Sequence, residues 1–127
     1  MVYHYAVRWV WYDNEEVYVL THVKKFSKEE WRKIFKEALR KAIKKVLRRR
    51  HLIGVDEIVK ETVNVLVDEY GFNRVNYVVD EYIWGACVLE EDDLRDRGTK
   101  KFIKLAGKRL VKKVIKHNIE RKREMRL

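Results

Sequence analysis

The sequence predicts an α+β fold: a small antiparallel sheet packed against three helices, in the order ββ-αα-β(β)-α. Three observations carry that expectation. Residues 2–12 alternate with a period of two and 17–23 read as a returning strand, residues 28–70 and 99–120 repeat apolar positions at helical spacing, and residues 74–89 are rich in β-branched and aromatic side chains.

The alternating run places Tyr3, Tyr5, Val7, Trp9 and Trp11 on one side, and His4, Ala6, Arg8 and Tyr12 on the other. Asp13-Asn14 has turn chemistry, and Val17 to Val23 reads as the returning strand of a hairpin. A turn centred near Asn14 pairs Tyr5, Val7, Trp9 and Trp11 with Val17, Val19, Thr21 and Val23 as the core face. His4, Arg8, Tyr12, Tyr18 and His22 then share the opposite face.

Ser27-Lys28-Glu29-Glu30 matches a capping box, in which a hydroxyl and a carboxylate reciprocally satisfy free N–H groups. Trp31, Ile34, Phe35, Ala38, Leu39, Ala42, Ile43 and Val46 follow at helical spacing, to about Arg50. After Gly54 a second helix is predicted from about Asp56 to Tyr70, with Gly71 as a left-handed stop. Residues 74–89 are long for one strand, since most have about five or six residues. They are expected to turn at Asp80-Glu81 into a second hairpin, the alternative being one bent strand with a bulge at Gly85. A last helix is predicted from about Thr99 to Glu120, with 121–127 as a fraying basic tail. Gly107 inside it costs about 1 kcal/mol against Ala, which points to a close helix contact.

The chain has 127 residues, enough for a single domain over 1–127, and 46% are hydrophobic, enough for a core. No run approaches the ~18 apolar residues of a membrane span, and the first fourteen residues lack the parts of a signal peptide. A soluble, intracellular (cytoplasmic) protein is expected. There is no Gln, no Pro and one Ser, and with abundant Lys, Arg and Glu this is a thermophile-like composition. Cys87 stands alone in an apolar run without metal-ligand spacing, as a buried structural thiol would.

The net charge of +10 is unevenly distributed. Residues 28–50 hold eleven Lys+Arg and three acids, and residues 95–127 hold fourteen and three. Residues 51–94 hold two basic and eleven acidic residues. Lys36, Arg40, Lys44 and Arg48 are four apart on the first helix, as are Lys104, Lys108, Lys112 and Lys116 on the last. Like charges at this spacing destabilise a helix by about 0.2–0.5 kcal/mol per pair. No acid lies between Arg97 and Ile119, so an ion-pair network typical of heat-adapted proteins does not account for this stretch. An anionic partner does: phosphate, or the protein's own acidic segment within a monomer or across a homodimer. A membrane surface fits worst, because Phe102 is the only aromatic on the last helix's apolar face.

Other chemistry has less support. Tyr12, Tyr18, Arg8 and His22 on one hairpin face are a candidate base-stacking platform. His4 and His22 lack a third metal ligand at suitable spacing, so no metal is assigned. Asp80, Glu81 and Glu90–Asp93 admit a metal-dependent nuclease, although the 90–93 run reads equally well as a loop leading into a helix. No nucleophile has an adjacent histidine, and the five glycines form no phosphate loop, so no catalytic residue and no cofactor are assigned. The expectation is a non-catalytic nucleic-acid-binding homodimer (duplex DNA or single strand) that grips phosphates through the eight spaced cations. The alternative is an assembly protein whose basic helices pair with acidic surface of another copy.

Overall fold

Ser27 and Gly71 set the limits of the helical layer in the computed structural model, which describes residues 1–126. The Ser27 hydroxyl accepts from the Glu30 N–H (3.1 Å), and the Glu30 carboxylate accepts from the Ser27 N–H (3.0 Å). That backbone bond, with the one from the hydroxyl, holds the Glu30 carboxyl below its ordinary pKa. Helix α1 (Lys28–Val46) follows and ends a turn earlier than the sequence spacing implies. Helix α2 (Val55–Tyr70) ends on Gly71, at φ 76°. The two helices bury Trp31, Phe35, Leu39, Ile43, Ile58, Val59 and Leu66 against each other and the sheet.

The hairpin forms, but in a different register. Strands β1 (Tyr3–Trp11) and β2 (Asn14–His22) are joined by the two residues Tyr12 and Asp13, and Trp11 lies opposite Asn14. Tyr12 adopts a left-handed φ of 50°. Tyr5 therefore faces Leu20 and Val7 faces Tyr18, so Tyr18 and Leu20 point into the core in place of Val17, Val19 and Thr21. A slip of one residue exchanges the two faces of a whole strand. Alternation could not choose the register here, because β2 is covered on both sides: Tyr18, Val19, Leu20 and Thr21 are all buried.

Strand β3 (Asn73–Val75) pairs with β2, and strand β4 (Ala86–Glu90) pairs parallel to β1. The sheet is thus mixed, in the order β3-β2-β1-β4. The expected second hairpin does not form, because β3 and β4 lie on opposite edges. Residues 76–85 cross between those edges over the face away from α1 and α2. There the Tyr77 hydroxyl meets the His4 ring (3.0 Å), and the Ile83 N–H donates to the His4 carbonyl (2.7 Å). A central hairpin flanked by two short edge strands gives residues 74–89 two separate partners, which their composition alone cannot distinguish from a self-paired ribbon.

The acidic run forms a short 3₁₀ turn, Glu91–Leu94, and Asp93 within it is fully buried. The predicted last helix is two. Helix α3 (Lys100–Ala106) stops at Gly107, whose φ of 91° and ψ of 138° are open to glycine and strained for other residues, and helix α4 (Lys108–Met125) restarts there. Gly107 is therefore a corner between helices, not a packing contact within one. Helix α4 continues through most of the segment expected to fray; Leu127 lies outside the described residues. Among the described residues, no helix is long and apolar enough to cross a membrane.

Candidate anion-binding cleft

The corner at Gly107 decides where the basic residues go. It separates the lysines of α3 from those of α4, and the Arg40 guanidinium donates to the Leu105 carbonyl (3.3 Å) to close one end of the contact between α1 and α3. Between α1, β4 and α3 lies an open cleft of about 680 Å³. Arg32 and Lys36 reach it from α1, and Lys100, Lys101 and Lys104 from α3. No carboxylate lines it, and none of the five cations has an acidic partner within 4 Å among the described residues.

The cleft's floor is apolar. Ala86, Cys87 and Val88 are consecutive residues of β4, and all three line the cleft because this edge strand presents its side to it. Burial pushes the Cys87 thiol up to about 12, well outside the range of a reactive thiolate. Trp31 and Phe35 back the floor from α1, and Trp84 stands at the margin, 52% exposed.

These cations are set apart by their convergence on one cleft, since many cations elsewhere in the described residues also lack an acidic partner within 4 Å. On the other flank of α1, Lys41 and Lys45 share Glu69 of α2 (3.3 and 3.6 Å), and just past its end Arg49 holds both Glu57 and Glu61 (2.6 and 3.0 Å). A hydrogen bond to Tyr70 and then the Glu69 contact raise the Lys41 pKa, and Glu57 foremost raises that of Arg49. Three acids of the middle segment, Glu57, Glu61 and Glu69, are therefore used within the chain, on the flank away from the cleft.

Of the eight cations singled out from spacing, all are exposed and none has an acidic partner within 4 Å among the described residues. The fold brings only some together. Lys36 and Lys104 face each other across the cleft, with Arg40 at its end. Lys44 lies further along α1, and Arg48 falls in the turn after that helix ends. Lys108, Lys112 and Lys116 line a different groove, on α4, beside Ile103, Ile115 and Ile119. Arg32, Lys100, Lys101 and Trp84 were missed by the sequence reading. Arg32 and Lys100 extend the two four-residue spacings by one step each, so that signal was present, whereas nothing in the pattern marks Trp84.

The hairpin platform is not assembled. Tyr18 is 3% exposed on the core face, and burial raises its pKa to about 12. His22 packs edge-on against Phe26 and Phe72 and makes a 3.1 Å hydrogen bond to the Tyr70 carbonyl oxygen. Arg8 is engaged by Glu15. Tyr12 is exposed at the hairpin tip, beside a hollow lined by Glu90, Glu91 and Asp92, where a phosphate chain would be repelled. His4 and His22 lie on opposite faces, as the register requires. Among the described residues, no group of three or more His, Cys, Asp or Glu side chains is placed to hold a metal ion. No protein-family model, curated protein or solved structure matches this chain.

Proposed function

We propose that this protein binds nucleic acid without catalysis, and that the cleft between α1, β4 and α3 grips the phosphate backbone. The observation that supports this most directly is the convergence of five cations, none with an acidic partner within 4 Å among the described residues, on one cleft. Lys41, Lys45 and Arg49 have carboxylate partners, whereas Arg32 and Lys36 face three further unpaired lysines across an apolar floor. Holding five like charges around one cleft costs electrostatic energy, which a polyanion recovers on binding.

Fluorescence anisotropy of labelled single strands and duplexes across a salt series tests it. Five neutralised phosphates predict a slope of about −3.5 in log K against log salt on a single strand, and about −4.5 on a duplex. The triple reversal Lys36→Glu, Lys101→Glu, Lys104→Glu should abolish binding while leaving the circular dichroism spectrum unchanged. Absence of wild-type binding at 50 mM salt refutes the proposal.

A second reading rests on the α4 groove, where Ile119 is 47% exposed beside Ile103, Ile115 and three lysines. An assembly of copies through this surface would leave the cleft reversal without effect on oligomer size. Ile119→Asp would dissociate it. Sedimentation velocity on the two variants separates assembly from binding.

A further inference from the structure

We infer that the cleft accepts an unpaired nucleobase stacked on Trp84, which makes single-stranded nucleic acid its ligand in preference to duplex; the inference rests on the binding function proposed above. Trp84 is held unusually for an exposed aromatic. Its backbone sits at φ 57°, a left-handed conformation disfavoured for bulky side chains, and Gly85 follows at 72°. Its indole N–H donates to the Phe26 carbonyl at 2.9 Å, tying the ring to the segment that precedes α1. Half of the residue nevertheless stays open to solvent at the margin of the cleft. A strained backbone and a tethered ring at a cationic cleft are the features of a preorganised contact, since little ordering remains to be done on binding.

The chemistry of the walls narrows the occupant. Simple phosphate capture needs only the cations, and an apolar floor of Ala86, Cys87 and Val88 beside an indole adds nothing to it. A flat apolar body carrying flanking negative charges uses both halves of the cleft. A nucleobase is such a body when it is unstacked and unpaired, and a paired base within a duplex cannot present its face to a side chain. The cleft's volume of about 680 Å³ lies within the roughly 300–1,000 Å³ of sites that enclose small ligands. The other exposed aromatics are less suitable, since Tyr12 stands beside the acidic hollow and the Tyr77 hydroxyl is bonded to the His4 ring, and the half-buried tryptophans are no better placed. Trp9 and Trp11 stack on each other at 4.0 Å, and Trp9 donates to Glu91 (3.3 Å), so they are occupied and next to negative charge.

The test measures anisotropy with a labelled twelve-residue oligothymidine, the same backbone carrying abasic sites in place of the bases, and a twelve-base-pair duplex. The wild type should bind oligothymidine roughly 5- to 150-fold more tightly than the abasic strand, the range that stacking of one base supplies. Trp84→Asn keeps a residue that tolerates the left-handed backbone while deleting the ring. It should lose that preference and keep both the abasic affinity and the salt slope. Trp84→Phe, which keeps a ring, should restore most of the preference. Equal wild-type affinity for thymidine and abasic strands overturns the stacking inference and leaves phosphate binding intact, and so does tighter binding of duplex than of single strand. Failure of the wild type to bind any of the three overturns both. If Trp84→Asn does not fold, the wild-type comparison of the base-bearing and abasic strands still decides.

Discussion

Asp93 joins the acidic run to the basic helix that follows it, and removing its carboxylate should be among the costliest single changes in the chain. The residue is 0% exposed. Its carboxylate accepts from the Glu90 N–H (2.9 Å) and the Thr99 hydroxyl (2.6 Å), and its carbonyl accepts from the Thr99 N–H (3.2 Å). The Thr99 hydroxyl in turn accepts from the Phe102 N–H (3.1 Å), capping α3. Asp93→Ala removes two hydrogen bonds to a charged acceptor, worth about 1.5–3 kcal/mol each. Relief of the buried charge's desolvation offsets several kcal/mol of that. The Glu90 N–H is left without its partner, and because Glu90 is itself exposed this adds only about 1 kcal/mol, the low end of the cost of an unsatisfied group. The balance is a loss of about 2–4 kcal/mol, read as a fall in melting temperature of roughly 6–16 °C. Urea unfolding followed by circular dichroism measures it. Asp93→Asn, which keeps the shape and one acceptor oxygen, should lose about half as much. A value for Asp93→Ala within about 0.5 kcal/mol of wild type refutes the account, since that is the range of an ordinary surface substitution.

Gly98→Ala should destabilise by about 2–3 kcal/mol in the same assay, because φ is +83° and the added methyl would lie 2.7 Å from the Val111 side chain; a neutral outcome would mean that α4 can shift. The Glu30 carboxyl, lowered by its bond from the Ser27 N–H, contributes stability above its unfolded value that is lost as pH falls below about 4.5 through the folded value. Glu30→Gln should therefore flatten part of the acid limb of the urea midpoint against pH, and an unchanged limb contradicts this. The Cys87 thiol, pushed up to about 12 by burial, should react with iodoacetamide at a rate still rising tenfold per pH unit at pH 10. In denaturant the rise should level off near the ordinary thiol value, and a folded-state plateau near pH 9 contradicts the burial.

The parts of this protein written in local chemistry were legible. Ser27 and Glu30 satisfy each other's backbone across three residues, and Gly71 accepts a left-handed turn that its neighbours resist, so the limits of the helices need no distant partner. The partition of charge was equally visible, since it is a property of the chain. Other features depended on contacts between distant residues. The register of β2 turned on which of two covered faces would take Tyr18 and Leu20, and residues 74–89 divided because β1 and β2 each offered a free edge. Gly107 lies in a run of unbroken helical spacing, and only the packing of Phe102 and Ala106 on one side and Val111 and Val114 on the other required a corner there. The cleft inherits this division. Lys36 and Lys104 follow from sequence spacing, but their convergence with Arg32, Lys100 and Lys101 beside Trp84 depends on how α1, β4 and α3 pack. A charge reads the same in any fold, whereas its partner is chosen by distance, and distance is set by the tertiary structure.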